Sequence, residues 1–337
     1  MNPTINDVAR LANTSKSTVS RYLNGQPIKK RTEEALKAAI QELDYHPNVN
    51  ARRLVKNSTQ TIGIVVDDIA NIFYSGILRG IEKVANQNNY QCVYYSGTSN
   101  HQGEFGFLNL AQERQVDGLI LISFTKRSDE LFRRIRELTI PVALVGDGGD
   151  IAENADIFSV DVNNEHGIKE VVRYLNRIGH RNIAFIGGPD DFTATHQRAK
   201  GYRMALEENG LTYEPSWTVP SDWSKDGGYK AMRDLINIGG MTAVIASNDE
   251  TAIGALLYAH ELGFRVPRDF SIVGFDDIEI ASWVYPPLTT VNQPLYQIGL
   301  EAADGLVMKM KHKDAPMKRR MLIEPKLIVR DSCMKLL

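Results

Sequence analysis

The residues best suited to recognising another molecule lie near the start of the chain, where residues 15–23 read Ser-Lys-Ser-Thr-Val-Ser-Arg-Tyr-Leu. Val19, Tyr22 and Leu23 recur at i, i+3 and i+4, which places them on one face of a short helix. The opposite face is small, polar and cationic, as a helix needs when it lies against phosphates and base edges. Taken alone, such a stretch is more commonly an amphipathic helix with a solvated charged face. The outer face comprises Lys16, Ser17, Ser20 and Arg21.

The preceding segment predicts a second helix, and this changes the interpretation of residues 15–23. Thr4 is a good N-cap, and Asp7 follows three residues later in a capping-box position. Asn13 stands where the turn needs a left-handed residue, which Asn tolerates better than most. Two short helices, a tight turn and polar residues opening the second helix predict a helix-turn-helix. The core-facing stripe of the first helix is Ile5, Val8, Ala9 and Ala12.

A third helix is predicted over residues 32–45, ended by Pro47, so that residues 1–47 form a three-helix headpiece. Residues 48–60 are predicted to be a hinge helix followed by a polar linker. Seven or eight residues are too few to be helical alone in water. We therefore expect the segment to fold when docked on DNA, with Leu54 as an apolar wedge in the minor groove. The alternative is a basic linker with one incidental leucine.

The charge distribution marks the N-terminal segment as the part that meets a polyanion. Residues 1–60 contain ten Lys and Arg against five Asp and Glu, whereas the remaining 277 residues contain 29 against 36. Only Cys92 and Cys333 are present, without a CxxC motif, so we expect a reducing cytoplasm rather than a disulfide framework. No long apolar run and no signal peptide are recognisable, so no membrane partner is expected.

Several motifs together resemble the lactose/galactose-repressor (LacI/GalR) family, and the resemblance covers essentially the whole chain. It implies a homodimer on a pseudo-palindromic operator, with Lys16 and Ser17 at variable base-reading positions and Arg21 matching the commoner arginine. We expect DNA contacts from Thr4, Ser15, Lys16, Ser17, Thr18, Arg21, Asn24, Asn50, Arg52 and Leu54. The motifs are Thr4-Ile5-Asn6-Asp7-Val8-Ala9, residues 15–25, Ala39-Ile40-Gln41-Glu42-Leu43-Asp44-Tyr45-His46-Pro47-Asn48, Ala51-Arg52-Arg53-Leu54 and Thr61-Ile62-Gly63.

From Thr61 onward, short buried-strand patterns alternate with helical ones, which predicts parallel βαβ units. The predicted fold class is α/β: an all-α helix-turn-helix headpiece and hinge helix, followed by a two-lobed, doubly wound domain like periplasmic sugar-binding proteins. The effector-binding and dimerisation domain would span 61–337. Its N-lobe would comprise about 61–161 and 291–323, and its C-lobe about 162–290 and 324–337. The predicted elements include a helix from Glu104 to Gln115 and a strand from Ser271 to Phe275.

Polar and aromatic side chains follow several of these strands, at the edge where open α/β sheets bind ligands. A single strand-end Asp is more commonly a helix N-cap or a turn former, but six such positions converging on one cleft favour a ligand site. Carboxylates and amides bind paired hydroxyls and rings cover C–H faces, so the set suits a sugar. By resemblance, aromatic effector contacts correspond to Phe73 and Trp223, and polar ones to Asp147, Arg198, Asn248 and Asp276.

Three positions depart from the family pattern. Ile72 stands where the family often has Pro, beside Phe73. Phe192 and Ala194 occupy loop positions where relatives carry polar contacts. The resemblance alone therefore does not identify the ligand.

Enzyme motifs are missing from the sequence. There is no GxGxxG after the first strand, no GxxxxGK[ST] and no GxSxG. The seven histidines show no HExxH or comparable spacing, so neither a metal nor another cofactor is expected. The paired acids Asp67-Asp68 and Asp276-Asp277 are adjacent in sequence, so their side chains diverge and no metal site is demanded.

These observations predict a repressor of a carbohydrate-utilisation operon, controlled by a small sugar or sugar phosphate bound between the lobes. A purine effector is one alternative. A catabolite-control regulator with a phosphorylated carrier protein as corepressor is another, since residues 68–74 resemble that subgroup. Its arginine-bearing segment is not evident in Ala281-Ser282-Trp283-Val284-Tyr285. A transport receptor is disfavoured by the basic headpiece.

The wedge hypothesis predicts a specific effect of Leu54→Ala. Loss of the apolar side chain should weaken binding to the operator more than binding to non-specific DNA, because only the specific complex inserts it. Fluorescence anisotropy with operator and scrambled duplexes measures both affinities. An equal loss on the two duplexes would contradict the wedge.

Overall fold

The computed structural model describes residues 3–23, 25–46, 58–97, 106–122, 129–146, 157–312 and 320–336. The chain divides into two compact units, Met1–Thr59 and Gln60–Leu337. Among the described residues, no helix is long and apolar enough to cross a membrane. Five of the predicted contact residues, Asn24, Asn50, Arg52, Leu54 and Asp147, lie outside the described residues, as do most of the predicted hinge helix and linker.

The first unit is a small three-helix core. The Thr4 hydroxyl accepts from Asp7 N–H and the Asp7 carboxylate accepts from Thr4 N–H at 2.9 Å, so the predicted capping box is present. Asn13 has φ 46°, which confirms the left-handed turn. Val8, Val19 and Leu36 are fully buried where the helices meet. The helices are α1 (Ile5–Leu11), α2 (Lys16–Leu23) and α3 (Lys30–Glu42).

The second unit begins with strands that alternate with helices. Its first strand, Thr-Ile-Gly-Ile-Val-Val, is β-branched and buried along its whole length, as expected of a central parallel strand. This series comprises β1 (Thr61–Val66), α4 (Tyr74–Gln87), β2 (Gln91–Ser96), α5 (Leu108–Gln112), β3 (Gly118–Ile122), α6 (Asp129–Arg136), β4 (Val142–Val145) and β5 (Phe158–Val162).

A second alternating series follows. Three of its helices begin with a side chain that accepts a first-turn N–H, namely Asn163, Ser224 and Asn248. The series comprises α7 (Asn164–Arg177), β6 (Ile183–Ile186), α8 (Thr193–Glu208), β7 (Thr218–Val219), α9 (Lys225–Ile238), β8 (Ala243–Ala246), α10 (Asp249–Glu261) and β9 (Ser271–Val273). The chain ends with β10 (Thr290–Asn292), α11 (Leu295–Lys311), β11 (Arg320–Ile323) and β12 (Lys326–Ile328).

These strands form two parallel sheets and one small antiparallel pair. The first sheet has the order β11-β5-β4-β3-β1-β2 and the second β7-β6-β8-β9. Strand β11 pairs in parallel with β5, so the end of the chain returns to the first sheet. Strands β10 and β12 pair with each other, and Asn292 of β10 bridges Asp276. The second unit therefore has two sheets, each of which presents the carboxyl ends of its strands.

Several predicted elements were wrong in extent, among them the third helix, which spans Lys30–Glu42 and not residues 32–45. The described part of the predicted helix from Glu104 to Gln115 is helical only over α5, because Gly106 and Phe107 form a turn and Arg114 adopts φ 52°. The predicted strand from Ser271 to Phe275 ends at Val273, since Asp276 and Asp277 adopt positive φ. Helices α8 and α9 also begin three residues earlier than predicted, at polar residues outside the apolar stripe. We did not predict β5, β10, β11, β12 or α11.

Helices α4 and α11 approach closely because glycines face each other. A Cβ on Gly299 would lie 2.1 Å from the carbonyl oxygen of Ile77, and one on Gly80 would lie 2.3 Å from that of Tyr296. Both distances are far below van der Waals contact, and both neighbours are backbone atoms. Glycine at these positions thus sets the spacing of two helices that cover the first sheet.

Gly299→Ala should lower the free energy of unfolding by about 1–3 kcal/mol, because overpacking against backbone outweighs the gain of about 1 kcal/mol in helix propensity. Urea unfolding followed by circular dichroism measures the change. Gly187→Ala is the control, since its Cβ would meet nothing nearer than Val219 O at 3.6 Å. Equal stability of the two variants would contradict the close approach.

Candidate functional site

Helix α2 presents a polar face built on a buried apolar one. Val19 is fully buried, whereas Lys16, Ser17 and Arg21 are exposed. Ser15 caps the helix, because its Oγ accepts from Thr18 N–H at 3.2 Å. Hydroxyl-to-hydroxyl contacts of 2.8 Å join Ser15 to Ser17 and to Thr18. Lys16 therefore extends from the capped first turn of α2 and Arg21 from its last turn, on the face suited to contact bases and phosphates.

The Thr4 hydroxyl already makes a hydrogen bond within the headpiece. Its hydroxyl donates to Asp7 Oδ2 at 2.7 Å, within the box that opens α1. The side chain is exposed, so a phosphate contact would compete with the cap. Thr4 is thus a weaker contact candidate than the residues of α2.

A cavity of about 580 Å3 lies in the second unit, between the two parallel sheets. Elements from both sheets line it, as expected for a ligand site at the carboxyl ends of strands. The structure brings five of the six predicted effector residues to this cavity: Phe73, Arg198, Trp223, Asn248 and Asp276.

Arg198, on α8, is the centre of the second lobe's wall. Its side chain is 95% buried. Nε donates to Asn164 Oδ1 at 2.8 Å, and one terminal nitrogen donates to the Ser247 carbonyl. The guanidinium carbon lies 3.8 Å from the centre of the Phe275 ring. Burial lowers the pKa of Arg198, and the nearby carboxylates, Asp276 above all, oppose that effect.

Asp276 stands opposite this guanidinium, with Oδ1 3.7 Å from Nη2 of Arg198. Gln293 Nε2 donates to the same oxygen at 2.6 Å. Burial raises the pKa of Asp276 to about 7, against the opposing effect of Arg198. Its φ of 120° is unusual for a residue with a side chain, and such strain is typical of functional positions.

The neighbouring acid, Asp277, contacts other groups than Asp276 does, as expected for side chains that diverge because they are adjacent in sequence. Asp277 accepts from Arg330 Nη2 at 2.6 Å and from Asn292 Nδ2 at 2.8 Å. Asp249 is fully buried below the loop and accepts from Ile278 N–H at 2.9 Å and Thr290 Oγ1 at 2.5 Å. Burial raises the pKa of Asp249 well above its ordinary value. Both acids hold the loop that presents Asp276.

Trp223 and Phe192 form an aromatic wall. Their ring centroids are 4.3 Å apart, and Trp223 Nε1 donates to Ser247 Oγ at 3.0 Å. Trp223 has φ 65°, and Asn248 Nδ2 donates to its carbonyl at 2.9 Å. Asn248 Oδ1 also accepts from Thr251 N–H, so Asn248 caps α10 and positions Trp223 while lining the cavity.

The first lobe contributes the loop after β1. Asp67 Oδ1 accepts from the Tyr74 hydroxyl and from Asp68 N–H. Phe73 N–H donates to Asn71 Oδ1 at 2.9 Å, and the Phe73 ring meets Tyr74 edge-on at 5.4 Å. The loop is therefore ordered by its own acids and amides.

Several lining residues were absent from the predicted site. The strand-end rule would have found Asp161 and Asn164, had β5 been predicted. Phe192, which departs from the family pattern, lines the cavity against Trp223. The residues missed are Asp161, Asn164, Phe192, Asp222, Glu250 and Gln293.

Comparison with known proteins identifies the family. The profile for bacterial regulatory proteins of the lacI family matches residues 4–48, and that for a periplasmic binding protein-like domain matches residues 172–333. Catabolite control protein A of Priestia megaterium is 37% identical over 317 residues, covering 93% of this chain and 94% of that protein. The chain belongs to the LacI family.

Two solved structures show the same fold. A transcriptional regulator CelR–cellobiose complex is 34% identical with a TM-score of 0.75, covering 98% of this chain and 99% of that one. The Lac repressor dimer bound to operator and the anti-inducer ONPF is 27% identical with a TM-score of 0.86, covering 99% and 100%. The predicted resemblance and the α/β class with a helix-turn-helix unit are confirmed. This LacI-family chain is a DNA-binding transcriptional regulator and not an enzyme.

The raised pKa of Asp276 gives a prediction about pH. An Asp has an ordinary pKa of about 3.9 in an unfolded chain, so the folded state binds the proton more tightly between that pH and about 7. The free energy of unfolding therefore falls as pH rises through this window. Asp276→Asn removes this contribution.

Relative to the wild type, Asp276→Asn should gain stability as pH rises from about 4 to about 7, with no further gain above. Urea unfolding at several pH values measures the difference. Glu207→Gln, an exposed position on α8, is the control. A difference between Asp276→Asn and wild type that stays constant with pH would contradict the buried carboxyl.

Proposed function

We propose that this regulator is a cytoplasmic, homodimeric repressor of a carbohydrate-utilisation operon. Its affinity for a pseudo-palindromic operator is controlled by a small sugar or sugar phosphate bound in the cavity. The observation that carries the proposal is the convergence of Arg198, Asp276, Trp223 and Phe73 on one cavity of about 580 Å3. The CelR relative that was solved with cellobiose supports a saccharide.

The chemistry of the lining suits a sugar. Carboxylates such as Asp276 and Asp67 accept hydrogen bonds from ring hydroxyls, and such bonds to charged acceptors are strong. The Phe192–Trp223 wall offers flat apolar surface to the C–H face of a sugar ring. We propose Phe73, Arg198, Trp223, Asn248 and Asp276, together with Asp147, as the effector residues.

Control of DNA binding follows from the position of the cavity. A ligand that contacts the loop after β1 and also Asp276 favours one arrangement of the two sheets over another. Such a coupling between sites is typically worth about 1–3 kcal/mol. We propose that residues 1–47 read the operator, residues 48–60 form the hinge helix and linker, and residues 61–337 bind the effector and dimerise.

A dimer supplies the two headpieces that a pseudo-palindrome needs, since each chain presents one recognition helix. Trp283 and Tyr285 are 70% and 87% exposed, and large exposed aromatic side chains are typical of protein contacts. Sedimentation of the purified protein measures the oligomeric state.

A second candidate is favoured by the 37% identity to a protein named catabolite control protein A. In this reading a phosphorylated carrier protein acts as corepressor. The experiment below separates the candidates, because addition of such a carrier should then tighten operator binding without any sugar.

The proposed function is tested by operator release. A labelled operator selected from random duplexes should be bound by the full-length protein, and at least one member of a sugar panel should change its affinity by about fivefold or more. Asp276→Ala should bind the operator yet lose the response to that sugar. Asp234→Ala, an exposed acid of α9, should respond as the wild type does. A normal response of Asp276→Ala would mean that the effector binds elsewhere.

The recognition helix gives a second prediction. Arg21→Ala should reduce discrimination between the operator and single-base variants by about 1–3 kcal/mol, because arginine reads a guanine edge with two hydrogen bonds. Competition binding against a set of variant duplexes measures the discrimination. Arg31→Ala, an exposed headpiece arginine outside α2, should leave base preference unchanged. Undiminished discrimination by Arg21→Ala would refute the reading role.

A further inference from the structure

The described residues around the cavity carry an excess of negative charge. Six carboxyl side chains line it, while Arg198 is the one cation among the lining residues that the structure describes. The carboxyl groups come from both sheets and not from a single loop, so a bound ligand would meet them on several sides. They belong to Asp67, Asp68, Asp161, Asp222, Glu250 and Asp276.

Arg198 is poorly placed to receive a phosphate. Two of its nitrogens donate to Asn164 and to the Ser247 carbonyl, and Phe275 covers one face. The remaining nitrogen lies toward Asp276. A phosphate clamp uses two parallel N–H groups of the guanidinium, and here the protein already engages most of them.

Two of the helix N-termini at the cavity, those of α9 and α10, are occupied, whereas α8 begins without a side-chain cap. Backbone N–H groups at a helix N-terminus form a ready anion site when they are free. In α10, Thr251 N–H donates to Asn248 Oδ1, and in α9, Gly227 N–H donates to Ser224 Oγ at 2.9 Å. Their own capping side chains therefore take the place that a phosphate would need.

Some carboxylate oxygens of the lining, in contrast, accept no hydrogen bond from a described residue. All hydrogen bonds that the described residues donate to Asp67, Asp68 and Asp276 go to Oδ1. The donors are Tyr74 Oη and Asp68 N–H for Asp67, Ala70 N–H at 2.9 Å for Asp68, and Gln293 Nε2 for Asp276. No described residue donates to the Oδ2 atoms of these three carboxylates, and a ligand can meet such atoms by supplying hydroxyl groups.

We infer that the effector is an uncharged, hydroxyl-rich saccharide and that the cavity rejects the phosphorylated form of the same sugar. The inference rests on the proposed function and narrows its ligand. The hydroxyls donate to the free carboxylate oxygens, whereas a phosphate brings negative charge among like charges in a partly desolvated space. The Phe192–Trp223 wall adds apolar surface, which further disfavours a charged group.

Matched sugar pairs test the inference with the full-length dimer. Isothermal titration calorimetry compares glucose, ribose and cellobiose, each with its terminal phosphate ester, and operator release is measured in parallel. In the pair that binds, the Kd of the neutral sugar should be lower than that of its phosphate ester by a factor of about ten or more. This factor corresponds to the free energy of one pKa unit.

The outcomes of the titrations distinguish failure of this inference from failure of the proposed function. If a phosphate ester binds as well as its neutral partner and releases operator, the regulator is sugar-responsive and the inference is wrong. Binding of no saccharide would contradict both the proposed function and the inference.

A charge-removing variant separates repulsion from simple misfit. Asp68→Asn should narrow the ratio between phosphate and neutral affinities by about threefold or more at low salt, because one exposed like charge is removed and salt screens the rest. Glu207→Gln removes the same charge from the exposed face of α8 and should leave the ratio unchanged. An unchanged ratio in Asp68→Asn would show that carboxylate repulsion does not select the ligand.

Discussion

The buried guanidinium of Arg198 is the group on which the second lobe's side of the cavity depends. A charge removed from water must be paired and hydrogen-bonded, or it destabilises the fold. Arg198 meets this requirement by joining α7 through Asn164, the end of β8 through Ser247 and the loop after β9 through Asp276. Elements that are distant in sequence thereby converge on one point. A lysine could not replace it, because its ammonium lacks the planar fork that reaches two acceptors at fixed angles.

The loop around Asp276 illustrates how a strained carboxylate is supported. Asp276 and Asp277 both have positive φ, and each such residue costs of the order of 1–3 kcal/mol. Asp249 accepts hydrogen bonds from Ile278 and Thr290, and Arg330 donates one to Asp277. These contacts keep the loop in a conformation that it would not adopt alone. The result is a carboxyl group whose pKa burial raises to about 7, against the opposing effect of Arg198.

The sequence predicts the fold and much of the cavity because both follow from short-range rules. Apolar periodicity locates most helices and strands, and the strand-end rule places Phe73, Arg198, Trp223, Asn248 and Asp276 at one edge. The strands and lining residues that the sequence does not predict depend on pairing between strands that are distant in sequence. Strand β11 is half exposed and pairs with β5, so its own pattern does not predict it. Asp161 and Asn164 were missed because β5 was not predicted. The capping role of Asn248 and the contact of Phe192 with Trp223 are likewise set by tertiary neighbours.

The two units carry net charges of opposite sign, and this difference separates the ligands that they bind. Residues 1–60 carry five more basic than acidic side chains, while the rest of the chain carries seven more acidic than basic ones. The exposed Lys16 and Arg21 of α2 suit a polyanion, whose phosphates attract cations at long range. The described lining of the cavity repels the same groups and offers acceptors instead. A nucleic acid or a free phosphate is thus directed to the headpiece, and the cavity stays available to a ligand rich in hydroxyls. Charge partition within one chain thereby keeps the DNA-binding and effector-binding events chemically distinct.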